Sequence, residues 1–322
     1  MKPHLNKGLF SNYYLDELLP REEEFNIPFS HVDKALEETK RIWDKTYLSS
    51  LSEPQLRKHF LDKVFETLGW TIDVEPPTPS GEWSKHPDYA LFHSKEDLKI
   101  AQKATREDYF NKALCIGEAK RWGRPLDRKL KGERDPFEVQ NPSLQISRYL
   151  WLTGVKWGIL TDGRYWRVFE RETAKRLDIF YEIDLEDLIE NGSIEDFKYF
   201  YLFFRRDAFP DFLEKVYKAS VNYAEAVGEE LKENVYKALK SLTQGFLSTP
   251  ANKLKDTHLK EIHDNSLILL YRLLFILYAE YRGLLPIGEN RLYTESYSLD
   301  SLKKEIAGRL DKGEPIATST YG

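Results

Sequence analysis

The chain has 322 residues, of which 41% are hydrophobic, 31% charged and 14% aromatic, with a net charge of −5. That is apolar mass for one large core or two smaller ones, and it excludes a disordered chain. One cysteine, Cys115, excludes a disulfide framework within the chain and fits a reducing cytoplasm, and the opening MKPHLNKGLFSNYYLDELLP has no apolar run of the signal-peptide kind.

Taken in chain order, residues 30–48 read as a helix, with Val32, Ala35, Leu36 and Trp43 near helical spacing. A second helix runs from Ser52 to Leu68. Ser52 and Gln55 match a capping box, Pro54 suits a first turn, Phe60, Val64 and Leu68 form a core stripe, and Gly69 ends it. The connector EPPTPSGEWSKHP places four prolines before Asp88. Tyr89–Phe92 and Ala113–Ala119 are apolar strands, with Cys115 a small buried residue of the second. Residues 94–108 between them read as a charged surface helix. Ser143 opens a helix through Leu152 that stops near Gly154. Trp157–Thr161 and Tyr165–Phe169 form a hairpin across Asp162-Gly163, and Ile179–Ile183 adds an edge strand.

Beyond Leu185 strand signals cease. Val221, Ala224, Val227, Leu231, Val235, Leu239 and Leu242 recur at three or four residues and predict a long amphipathic helix. Leu267–Leu285 is the most apolar stretch, but Arg272, Glu280 and Arg282 interrupt it. It reads as a buried helix and not as a membrane span, which wants roughly 20 mostly apolar residues. Residues 299–310 predict a further helix. The expected organisation is an α/β domain over 1–190, a mixed sheet flanked by helices, followed by an all-α helical connector over 191–322. The closing PIATSTYG reads as an interruption, so a further segment is expected to follow.

The chemistry concentrates in Pro87-Asp88 and in Gly117-Glu118-Ala119-Lys120. Glu118 and Lys120 are two apart at the end of an apolar strand, so they share one face. An acid and a lysine in that place are costly unless they act together. If the strand begun by Asp88 is a neighbour, its carboxylate converges on Glu118, and a divalent cation relieves the repulsion. Magnesium, with manganese as a substitute, prefers such oxygen ligands, and phosphodiester hydrolysis requires this set. From Ala119 to Arg134, seven basic residues (Lys120, Arg121, Arg124, Arg128, Lys129, Lys131 and Arg134) against Asp127 and Glu133 leave a local charge of +5. Such a run can neutralise DNA phosphates despite the acidic whole. Trp122 stands within it. His59, His86 and His93 match no zinc-ligand spacing.

The PD and EAK elements resemble the PD-(D/E)XK nuclease superfamily, which includes many restriction endonucleases. The resemblance implies that Asp88 and Glu118 hold the metal and that Lys120 assists the water. Gln145 and Tyr149, at i and i+4 of the following helix, resemble the glutamine-x-x-x-tyrosine signature of restriction and RecB-like nucleases. Glu53 falls where an early-helix acid is common in the superfamily, or it simply complements the helix dipole. HPDYALF, GEAKRWGRPLD, the QISRY helix and WGILTDGRYWRVFE together are similar to the N-terminal nuclease of type IIG restriction-modification enzymes, and LLYRLLFILYAEYRGLLP to the start of their helical connector. This implies a restriction-endonuclease-like fold acting on double-stranded DNA, with self-association for double-strand cleavage; the DNA contacts expected are Arg121, Arg124, Arg128, Lys129 and Lys131, from the basic run that leaves the active strand, and Tyr149. No glycine-rich cofactor loop or NPPY motif is present (Asn141-Pro142-Ser143 lacks the second proline and the aromatic). An adenine methyltransferase with its S-adenosylmethionine, and a target-recognition domain, are therefore expected only in a further part of the protein. The alternative is a non-catalytic DNA- or partner-binding module.

Overall fold

The computed structural model describes residues 2–77, 86–129, 141–287 and 289–313. Much of the proline-rich connector, Lys131, Arg134 and the closing PIATSTYG lie outside them. The strands are β1 (Leu5–Asn6), β2 (Thr71–Val74), β3 (Tyr89–Phe92), β4 (Ala113–Ala119), β5 (Trp157–Thr161), β6 (Tyr165–Glu170) and β7 (Tyr181–Asp184). They form one mixed sheet in the order β1-β7-β6-β5-β4-β3-β2. The β4–β5 pair is parallel and the others are antiparallel. Sequence patterning missed β1 and β2, which are two and four residues long. As a result β7, expected at the edge, lies between β6 and β1.

The expected helix over 30–48 is two helices, α1 (Phe29–Arg41) and α2 (Lys45–Ser50). The chain leaves helical geometry at Ile42, and Asp44 caps the second by accepting from the Tyr47 N–H at 3.0 Å. The capping box at Ser52 and Gln55 is present. It opens α3 (Glu53–Leu56), which continues through a π-helical turn, Arg57–Leu61, into α4 (Asp62–Thr67). Helix α5 (Lys95–Lys103) is shorter than expected, and a 3₁₀ turn at Tyr109–Lys112 leads into β4. Helix α6 (Pro142–Thr153) crosses from β4 to β5 and ends at Gly154, whose φ is 73°. The Asp-Gly hairpin forms as read: Gly163 has φ 89°, and Asp162 Oδ1 accepts from the N–H groups of Arg164 and Tyr165.

Strand alternation divides the core. Tyr89, Leu91, Cys115, Trp157, Ile159, Trp166 and Tyr181 pack on one side with α1, α4 and α8 (Ile194–Phe204), the helix that follows α7 (Leu185–Asn191). Ala90, Phe92, Ile116, Leu160 and Phe169 pack on the other with Ala101 of α5 and with Ile146 and Leu150 of α6.

The chain divides into two compact units, Met1–Glu225 and Ala226–Gly322, and not at residue 190. The physical reason lies in α8. Trp166 of β6 is 5.3 Å from Phe200 and 5.7 Å from Phe204 between ring centroids, and Phe203 stacks on Tyr181 at 4.3 Å. A change from strands to helices in the sequence therefore does not mark a domain boundary here. Helix α9 (Asp211–Ser248) carries the chain from the first unit into the second.

The second unit contains α10 (Leu259–Tyr281), α11 (Arg291–Ser296) and α12 (Leu299–Asp311). Glu280 caps α12, accepting from the N–H groups of Leu299 at 2.9 Å and Asp300 at 2.8 Å, which gives a physical role to a charge inside an apolar stretch. The expectation that this stretch is buried is not met: Tyr271, Phe275 and Tyr281 are 74%, 71% and 87% exposed. By length and composition α10 is the one helix among the described residues apolar enough to cross a membrane.

Four phenylalanines of α8 (Phe197, Phe200, Phe203 and Phe204) are fully buried, each contributing roughly 1.5–3 kcal/mol. Their sum matches a typical net domain stability of about 5–15 kcal/mol. A fragment ending at residue 190 is therefore expected to lack a cooperative urea transition, and one ending at 225 to keep it. Cooperative unfolding of the shorter fragment would place the boundary at 190 after all.

Candidate active site

The site lies at the C-terminal end of β4, and the β3–β4 ladder positions it. Tyr89 pairs with Gly117 and Ala90 with Ile116, so the register continued by one residue sets Asp88 opposite Glu118. Gly117 permits this pairing: a Cβ there would stand 3.1 Å from Tyr89 Cβ and 3.2 Å from its ring. The Tyr89 hydroxyl donates to Asp62 Oδ1 of α4 at 2.7 Å, which ties β3 to the helix layer.

Glu118 follows Ile116 on the α6 side of the sheet and is 2% exposed. Lys120 Nζ donates to its Oε1 at 2.5 Å, while Oε2 is buried with no hydrogen-bond partner among the described residues. Asp88 Oδ2 accepts from the Ala119 N–H at 2.8 Å, and Oδ1 accepts from Arg57 Nη1 at 2.6 Å. Glu53 Oε2 accepts from the Arg121 N–H at 3.1 Å and so anchors the chain as it leaves β4. From α6, Gln145 Nε2 donates to the Tyr149 hydroxyl at 3.0 Å.

Burial, then the charge of Asp88, pushes the Glu118 carboxyl up to about 8 against the pull of Lys120. Burial opposes the charge on Lys120, but Glu118, Glu53 and Asp88 outweigh it and hold the ammonium above the ordinary lysine range. Burial also raises Glu53, with Asp88 adding to it. Tyr149 is pushed up to about 12 by burial and then by Glu118, so the α6 pair senses the same charge cluster.

Asp88, Glu118, Lys120, Glu53 and the Gln145–Tyr149 pair are thus brought into one electrostatic neighbourhood. The basic run is divided. Arg121, Arg128 and Lys129 are exposed. Arg124 is not: it is 6% exposed and its Nη1 donates to the carbonyls of Pro125 at 3.0 Å and Arg128 at 2.9 Å. It braces the loop after β4. Lys131 lies outside the described residues. Trp122 covers Gly163, 3.0 Å from where a Cβ would stand, and is packed against Trp43.

The sequence reading missed Arg57 and Asp162. Arg57 stands four residues after Glu53, a spacing that sets both on one helix face and could have shown it. Asp162 Oδ2 accepts from the Gly123 N–H at 3.1 Å, which joins the loop after β4 to the β5–β6 turn. Burial pushes its carboxyl up to about 6.

Two carboxylates, one with an unpartnered buried oxygen, fit what magnesium asks of a protein, since it keeps several waters and takes phosphate oxygens besides. Among the described residues no group of three or more His, Cys, Asp or Glu side chains is gathered around a potential metal position. No protein-family profile, curated protein or solved structure matches the chain.

The Glu118 carboxyl has a folded value near 8 against an ordinary 4.5, so folding favours its protonated form. Its stabilising effect is complete below about 4.5 and is lost as pH rises to about 8. Asp162 finishes its own loss near 6. His4, lowered to about 4 by burial, acts below its ordinary 6.5. In EDTA, stability measured by urea unfolding is therefore expected to fall between pH 6.5 and 8, and Glu118→Gln to flatten that fall. An equal fall in both proteins would contradict the assignment.

Proposed function

We propose that the chain is a divalent-cation-dependent DNA endonuclease with Asp88, Glu118 and Lys120 at its centre. The observation that carries this reading is the register placing Asp88 opposite Glu118, with Lys120 ion-paired to Glu118 at the end of the same strand. Asp88 and Glu118 would hold Mg²⁺, or Mn²⁺ in its place. When bound, the ion polarises a phosphoryl oxygen and lowers the pKa of a coordinated water.

The remaining roles belong to the chain. Lys120 keeps its proton at Nζ and offers positive charge where negative charge develops on the phosphoryl oxygens. Glu118 orients that ammonium through Oε1. Glu53 fixes the backbone at Arg121, and Gln145 with Tyr149 presents a polar edge from α6 beside the acids. Arg121, Arg128 and Lys129, on the exposed stretch after β4, would meet backbone phosphates.

On the same reading the first unit is a restriction-endonuclease-like domain of the PD-(D/E)XK type. The helical unit is then the connector of a type IIG restriction-modification protein. Adenine methylation, with its S-adenosylmethionine, and target recognition would reside in a further part of the protein. A cytoplasmic location and pairing of copies for double-strand cleavage belong to this proposal.

Cleavage of supercoiled plasmid in Mg²⁺ tests it. Lys120→Ala is expected to lower the rate by roughly 10²–10³-fold, as loss of one transition-state donor does, at a temperature where both proteins are folded, and to lower the thermal midpoint because Glu118 loses its partner. Undiminished cutting by this variant would remove Lys120 from the mechanism. Neutralising Arg121, Arg128 and Lys129 together is expected to weaken binding to every DNA sequence. It should also flatten the plot of log affinity against log salt by about 0.9 per lost phosphate contact. A salt slope equal to that of the unaltered protein would show that the three side chains are only solvated.

A further inference from the structure

The charge balance of the site leaves one cation unassigned by the nuclease reading. Glu53, Asp88 and Glu118 act on one another through their charges, and Lys120 is ion-paired to Glu118 alone. The second internal cation is Arg57, which opens the π turn between α3 and α4. In that turn the Asp62 N–H bonds the carbonyl of Arg57, a five-residue step, so the helix is widened by one residue there. Upstream of the widening Glu53 and Arg57 face the site; downstream Phe60, Leu61, Val64 and Phe65 are fully buried. Single π turns are frequent at functional sites, and a second one in this chain, Tyr14–Leu18, lies in the N-terminal segment.

Arg57 bridges two carboxylates. Its Nη1 donates to Asp88 Oδ1 at 2.6 Å and its Nη2 to Glu75 Oε1 at 3.1 Å. The two acids differ in setting: the Asp88 side chain is 14% exposed and that of Glu75 60%. Glu75 is held beside Asp88 by its own backbone, whose N–H donates to the Asp88 carbonyl at 2.9 Å, in a φ of 55° that non-glycine residues rarely adopt. Oδ2 accepts from the Ala119 N–H and Oδ1 from Arg57, so a second cation that takes the remaining lone pairs of Asp88 does so against the charge of the guanidinium.

We propose that Arg57 is a built-in counter-cation: it neutralises Asp88 until a divalent ion arrives, then withdraws to Glu75. The inference rests on the nuclease reading of the site. Arg57 acts here as a positioning residue, setting the cation concentration at which the site fills and keeping the acids paired when no ion is present. A guanidinium suits this role because its planar fork serves two carboxylates at once and it stays charged at every physiological pH. Glu75 supplies a resting partner, so the departure of Arg57 from Asp88 does not leave a charge unanswered.

The test is direct Mn²⁺ binding by titration calorimetry and by loss of the free-ion paramagnetic resonance signal, without DNA, on the full 322-residue chain. Arg57→Gln removes the competitor and is expected to tighten Mn²⁺ binding roughly tenfold, the equivalent of one charge-assisted hydrogen bond. Glu75→Gln removes the resting partner and is expected to weaken binding severalfold. A merely structural Arg57 would move both variants in the same direction. Arg57→Lys keeps the charge and serves as a folding control, with an affinity between those of the parent and Arg57→Gln. Thermal unfolding gives the second readout: Arg57→Gln should melt lower than the parent in EDTA and gain more from Mn²⁺. If the parent binds Mn²⁺ but Arg57→Gln binds it equally or more weakly, the counter-cation role is overturned while the cation site stands. If neither the parent nor Arg57→Gln binds Mn²⁺, the cation site itself is wrong and the inference falls with it.

Discussion

The pairing of β3 with β4 is the constraint on which the site depends. Tyr89 lies so close over β4 that a side chain at Gly117 would have to push it aside by a few tenths of an ångström. A slip of one residue would turn Glu118 and Lys120 to the opposite side of the sheet, because side chains alternate with period two. The buried ring of Tyr89, bonded to Asp62 and packed against Phe65, resists that slip from the helix side. The apolar core thus decides which carboxylates meet.

Electrostatics then makes the meeting costly. Glu118 is buried among charges of its own sign, and its carboxyl is pushed toward the neutral form. Lys120 and Arg57 offset part of this cost, one from the end of β4 and one from the π turn. A buried Glu118 oxygen still lacks a hydrogen-bond partner among the described residues. Such a group is destabilising unless something binds it, and proteins concentrate costs of this kind at working sites. Glu186 Oε2, in the ion-pair network of Lys45 and Arg164, is buried without a partner as well, so the orphaned oxygen marks a cost at Glu118 and does not by itself name what meets it.

Much of this was legible in the residues, for identifiable reasons. Glu118 and Lys120 follow from strand parity, Gln145 and Tyr149 from helical spacing, and the hairpin from Asp162-Gly163. What escaped depends on tertiary context. Strands β1 and β2 are too short for a period to show, and they form because the sheet offers them a partner. Arg57 is one more basic residue on a helix until β3 brings Asp88 to it. Arg124 reads as surface charge until the loop closes around its guanidinium. The boundary at 190 followed the change from strands to helices, whereas the aromatic face of α8 belongs to the sheet's core. The apolar stretch of α10 reads as a core helix because hydropathy reports what a side chain prefers, not what covers it.

The central claim is that Asp88 and Glu118 share a cation beside Lys120. A crystal structure of the protein grown in Mn²⁺, with anomalous diffraction recorded at the manganese edge, tests it most directly. The account predicts an anomalous peak with oxygen ligands from both Asp88 and Glu118, and with Lys120 Nζ on the same side of the sheet. Well-ordered acids with no peak between them, or a peak bound elsewhere on the chain, would contradict it.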